Sequence, residues 1–85
     1  MPYSISYVPS AAKTIRKLEK STARRLLEAI DGLTIDPRPP GCIQLKGGRG
    51  EFRIRVGDYR VIYDVQDDEL VVLVLRVGHR REVYQ

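Results

Sequence analysis

Cysteine and histidine are almost missing from this 85-residue chain, with Cys42 and His79 the only ones of their kind. A lone cysteine excludes an intramolecular disulfide, and one Cys with one His cannot assemble a Cys/His metal cluster. No metal and no cofactor are therefore expected. Nothing near Cys42 in sequence looks like an activating base, so it is read as a small packing residue rather than a nucleophile. No stretch approaches the roughly 18 apolar residues that cross a bilayer, and the N-terminus, MPYSISYV, has no basic lead before an apolar run. The expectation is a cytoplasmic protein with no membrane partner. There is no repeat, low-complexity tract, linker or charge tail, so residues 1–85 are read as a single domain. At this length the core is barely self-sufficient, and a partner that completes the surface is expected.

What is present is ordinary globular composition, 42% hydrophobic and 31% charged, with 15 Lys and Arg against 11 Asp and Glu for a net charge of +4. YSISYV at 3–8 alternates like a strand with one wet face, and Pro9 closes it. Ser10 is read as the N-cap of a short helix with Ala11, Ile15 and Leu18 inward and Lys13, Arg16, Lys17 and Lys20 outward. Ser21 or Thr22 then caps a second helix that buries Ala23, Leu26, Leu27, Ile30 and Leu33. DPRPPG at 36–41 cannot continue a helix. Cys42, Ile43 and Leu45 mark a short extended piece before the glycine-rich KGGRGE at 46–51. Three strands follow, FRIRV, YRVIYDV and LVVLVLRV, the last apolar on both faces and so placed inside the sheet. The order predicts an α+β fold: an N-terminal strand, then an antiparallel helical hairpin packed on one face of a mainly antiparallel sheet.

Pairing FRIRV with YRVIYDV through a two-residue Gly57-Asp58 turn sets Val56 opposite Tyr59, Arg55 opposite Arg60, Ile54 opposite Val61 and Phe52 opposite Tyr63. Phe52, Ile54, Val56, Tyr59, Val61 and Tyr63 then face the helices, and Arg53, Arg55 and Arg60 face away. Like charges directly across a ladder destabilise it by roughly 0.2–1 kcal/mol. Solvated arginines whose stems cover apolar surface are the bland explanation. Against it stands a local excess between positions 46 and 60, where Lys46, Arg49, Arg53, Arg55 and Arg60 meet only Glu51 and Asp58. Arg80 and Arg81 follow the sheet, while Asp67, Asp68 and Glu69 crowd into the far turn. Arginine grips phosphate through a planar fork, and a polyanion held between Arg55 and Arg60 would relieve their repulsion.

EFRIRVGDYRVIYDV followed by LVVLVLRVGHRREVY resembles the second half of a RelE-type toxin of the RelE/ParE toxin–antitoxin superfamily, and the first half is similar too. The specific part is the combination of GDYRVIY, an acidic turn, an apolar strand ending in RVGHR, and EVY. The resemblance implies a RelE-like fold and a ribosome-dependent endoribonuclease that cuts mRNA in the decoding site and inhibits translation. It also implies a RelB-type antitoxin partner. On this resemblance Arg53, Arg55, Arg60, Arg80 and Tyr84 line the cleavage site. Attack of a ribose 2′-hydroxyl on the adjacent phosphorus needs charge neutralisation, a proton acceptor and a proton donor. The arginines serve the first need, Arg80 by analogy protonates or stabilises the leaving oxygen, and Tyr84 stacks on a base or orients the nucleotide. The family often has lysines where this chain has Arg53 and Arg55, which leaves the proton acceptor unassigned.

Lys46, Arg49, His79 and Arg81 are candidate contacts to RNA or ribosome. His79 is alternatively an acid or base, or shapes the turn after Gly78. Lys13, Arg16, Lys17 and Lys20 are either a solvated helix face or a surface for ribosomal RNA backbone. Two other functions share the resemblance: a ParE-like toxin that inhibits DNA gyrase, and a catalytically inert relative that only binds its antitoxin.

Overall fold

The computed structural model describes residues 2–45 and 50–79. Its elements are β1 (Ser4–Tyr7), α1 (Pro9–Arg16), α2 (Lys20–Gly32), β2 (Ile43–Gln44), β3 (Glu51–Val56), β4 (Tyr59–Gln66) and β5 (Val71–His79). One five-stranded sheet runs in the order β1-β5-β4-β3-β2, with β1 parallel to β5 and every other pair antiparallel. The apolar β5 is thus an interior strand, as its two-sided hydrophobicity demands. The helices cover one face, α1 lying on β5 and α2 on β3.

Both helices begin two residues earlier than their serines suggest. Pro9 opens α1 rather than closing the strand, because its fixed φ suits the first helical turn and its missing N–H would lack a partner there anyway. The cap position therefore falls on extended Val8, and Ser10 lies inside the helix, its carbonyl accepting the Thr14 hydroxyl at 2.9 Å. In α2 the cap is Glu19, and Ser21, instead of capping, donates to the Glu19 carboxylate at 2.8 Å. A carboxylate at that end also complements the helix dipole.

Leu26, Ile30 and Leu33 are fully buried, with Ala11 and Ile15 of α1, against Ile54, Val61, Tyr63, Val72, Val74 and Val77. Each buried aliphatic side chain contributes about 1.5–3 kcal/mol. Leu27 is not part of this core and remains 44% exposed. It follows Leu26 by about 100° around the helix, outside the narrow stripe that reaches the sheet. It lines instead a surface groove of about 570 Å³ with Ile5 and Tyr7 of β1.

The proline loop is tied down twice. The buried Tyr63 hydroxyl donates to the Pro37 carbonyl at 2.7 Å. Arg38 pairs with Asp67 at 2.8 Å and rests over the Phe52 ring at 5.3 Å, and the Tyr3 hydroxyl donates to the same Asp67 carboxylate. The acidic turn is therefore partly neutralised by its own chain.

Candidate nucleic-acid interface

The hairpin register is the one the alternation predicts, with Arg55 directly opposite Arg60 and Ile54 opposite Val61. Gly57 at φ +62 supplies the positive φ that the first position of a type II′ turn needs. A Cβ there would meet the Arg25 guanidinium at 3.5 Å, an ordinary contact, so it is the backbone conformation that favours glycine. Tyr63 and Val61 are fully buried, and Phe52, Val56 and Tyr59 pack against the core. The alternation then sends Arg53, Arg55 and Arg60 to the face bare of helices.

That face is ordered in rows across the strands. The first holds Arg55, Arg60 and Gly78; the second holds Arg53, Ile62 and Arg76; the third holds Glu51, Asp64 and Leu73. Directly opposed Cβ atoms sit about 4.5–5.5 Å apart. Arg55 is exposed, while Arg53 and Arg60 are half-buried with their Nε atoms shielded from solvent. Among the described residues no carboxylate forms an ion pair with Arg55 or Arg76. The Asp67 turn is about 24 Å from Arg60 along β4 at a rise of about 3.4 Å per residue. Its carboxyl is held below the usual aspartate range by the Arg38 guanidinium and then by the Tyr3 hydroxyl. Burial is the main cause that pushes the Tyr63 phenol far above its ordinary value, so this ring is a neutral core group.

The remaining candidates fall elsewhere. His79 stands opposite Tyr59, edge-on to its ring at 5.7 Å, and shares the helix-side parity of Tyr59 and Val77. It is therefore not in the arginine rows. Lys13, Arg16, Lys17 and Lys20 are exposed on the helical layer, across the sheet from those rows. Lys46, Arg49, Arg80, Arg81 and Tyr84 lie outside the described residues.

Arg76 is the cation that sequence reasoning missed. It shares parity with Val72 and Val74, which face the core, so simple alternation hides it. A β-bulge intervenes: Tyr63 pairs with Val74 but Ile62 pairs with Arg76, leaving Leu75 as the extra residue. Parity resets there, Val77 turns inward at 5% exposure, and Arg76 turns out beside Ile62. The available signal was the run VLRV, in which an inward arginine would need a buried partner that the sequence does not offer.

A two-helix layer on a mixed five-stranded sheet, with guanidinium groups on the bare face, defines a small α+β protein suited to binding anions. A sequence profile described as ParE toxin of type II toxin-antitoxin system, parDE, matches residues 5–84. Toxin RelG of Mycobacterium tuberculosis is 30% identical over 86 residues, spanning all of this chain and 99% of that protein. The mRNA interferase toxin RelE of Escherichia coli is 30% identical over 94 residues, covering 99% of this chain and 92% of its own length. The toxin in the archaeal RelE-RelB complex from Pyrococcus horikoshii superposes with a TM-score of 0.84 at 33% identity, over 98% of this chain and 100% of that one. The chain belongs to the RelE/ParE superfamily of type II toxins.

Proposed function

We propose that this toxin is a ribosome-dependent endoribonuclease that cuts mRNA in the decoding site and is held inactive by a RelB-type antitoxin. The observation that carries the reading is Arg55 set directly against Arg60 on the sheet face away from the helices. A phosphate lying against that pair would be held by two guanidinium groups at once. In the proposed reaction a ribose 2′-hydroxyl gives up its proton to solvent as its oxygen attacks the adjacent phosphorus, the bond to the 5′-oxygen breaks, and that oxygen takes up a proton to leave as a 5′-hydroxyl beside a 2′,3′-cyclic phosphate. Arg53, Arg55 and Arg60 neutralise the charge that builds on the phosphorane, the largest single need of such a step. Arg80 stabilises or protonates the departing oxygen, and Tyr84 stacks on a base. The ribosome supplies positioning.

The relatives' names support this reading: the E. coli relative is an mRNA interferase, and the archaeal neighbour was solved as a complex with RelB. Among the described residues no helix is long and apolar enough to cross a membrane, in keeping with action on ribosomes in the cytoplasm. The matching profile carries the ParE name, which favours gyrase inhibition as the second reading. Primer extension on message from programmed ribosomes separates the two. The nuclease reading expects new message ends with the wild type and none after charge reversal of Arg60, with the fold intact. Cleaved DNA without new message ends establishes the gyrase reading, and growth arrest absent altogether establishes an inert antitoxin-binding relative.

A further inference from the structure

The rows of the bare face also define a direction. Glu51 faces Asp64 in the third row, next to the row of Arg53 and Arg76. A phosphodiester backbone laid along the strands would run from the arginines straight onto these two carboxylates. Laid across the strands it stays within the two cationic rows, from β3 over β4 to β5. The β3 end opens beside Arg55 into a cleft of about 330 Å³ formed with Pro39, Pro40 and Gly41. The β5 end opens beside Arg76 into another of about 320 Å³, walled by Ser10 and Thr14 of α1. That second cleft exists because β1 pairs with β5 only as far as Tyr7 and Val74, and α1 then takes over beside the rest of the strand.

We propose that Arg76 is a further RNA-binding residue of this toxin, gripping a phosphate that flanks the scissile one where the message leaves the sheet at the α1–β5 cleft. The inference deepens the nuclease reading and rests on it for the identity of the polyanion. Arg76 is exposed, points to the same face as Arg60, and has no ion-pair partner among the described residues. Two strand spacings, about 10 Å, separate its backbone from that of Arg53, with Ile62 standing between them. Gly78, itself buried, pairs with Arg60 in the neighbouring row and adds no side chain there. The bulge gives the arrangement its cause, since without the extra residue Arg76 would point into the core.

Two measurements test it on the full chain. The first is binding of a non-cleavable 2′-deoxy oligonucleotide across a salt series, for wild type, Arg76→Ala and Arg76→Lys. Loss of one phosphate contact flattens the log–log salt slope of Arg76→Ala by about 0.7 and weakens binding several-fold at low salt. Arg76→Lys keeps the slope and recovers part of the affinity. The second is message cleavage on programmed ribosomes, where Arg76→Ala raises KM about 3–10-fold with kcat within twofold. A merely structural role would lower the melting temperature without touching the slope. Identical slopes for wild type and Arg76→Ala overturn the inference even where message is cut. A flattened slope upholds the phosphate contact even if the wild type cuts no message, an outcome that would count against the nuclease reading alone.

Discussion

If the Arg55/Arg60 opposition is maintained for an anion, removing one member should stabilise the free protein while disabling it. Arg55→Thr is the informative change, because Arg55 is exposed and threonine suits a strand. Relief of a directly opposed like-charge pair is worth about 0.2–1 kcal/mol. For a domain of this size each kcal/mol moves the melting temperature by about 4–8 °C, so the variant should melt roughly 1–8 °C higher in low salt. The gain must shrink toward zero in 1 M salt, where the screening length falls to about 3 Å. A polyanion should then invert the order. At 100 times its dissociation constant, a ligand bound only by the folded state adds about 2.7 kcal/mol, more than the repulsion it relieves. Wild type with a single-stranded oligonucleotide should therefore melt above the variant with the same ligand. The assay is thermal unfolding at two salt concentrations, with and without oligonucleotide. A variant no more stable than wild type in low salt, or one stabilised equally by the oligonucleotide, would refute the reasoning.

Two further variants test the ties that hold the proline loop. Tyr63→Phe leaves the buried Pro37 carbonyl without its donor, at a cost of about 1–3 kcal/mol measurable by urea unfolding. The same variant removes an alkaline liability. Wild-type Tyr63 stays neutral in the folded state while the unfolded phenol ionises near pH 10, so wild-type stability falls as pH rises above that value and the variant's falls less. Asp67 works at the other end of the scale, since its folded value lies below its unfolded one. Its contribution is present above about pH 4 and is lost as pH falls through the depressed folded value. Asp67→Asn should flatten the acid limb of a stability–pH curve, and an unchanged limb would show that Arg38 and Tyr3 add nothing to folding.

The parts of this fold that obey a strict local period were legible. Alternation over 52–63 set the hairpin register, both faces and the Arg55/Arg60 opposition, because a two-residue turn leaves only one pairing and a single slip would have buried the arginines. The helical stripes were legible for the same reason, apart from Leu27, whose place depends on how far α2 tilts its apolar side toward β1. Capping was misread at both helices because local side-chain preference competed with chain length. Val8 and Glu19 take those positions by where the preceding segment delivers the backbone. Arg76 failed for a deeper reason. Its orientation depends on one unpaired residue in the β4–β5 ladder, and a bulge is a property of two strands that neither sequence displays alone. The arginines found by alternation all lie on the hairpin, whose register is local. The one found only in three dimensions lies on β5, across a turn and beyond the bulge, where the periodic rule has already been broken once. A cationic surface that crosses strands is therefore systematically under-read from sequence, and the missing members are to be sought just past its irregularities.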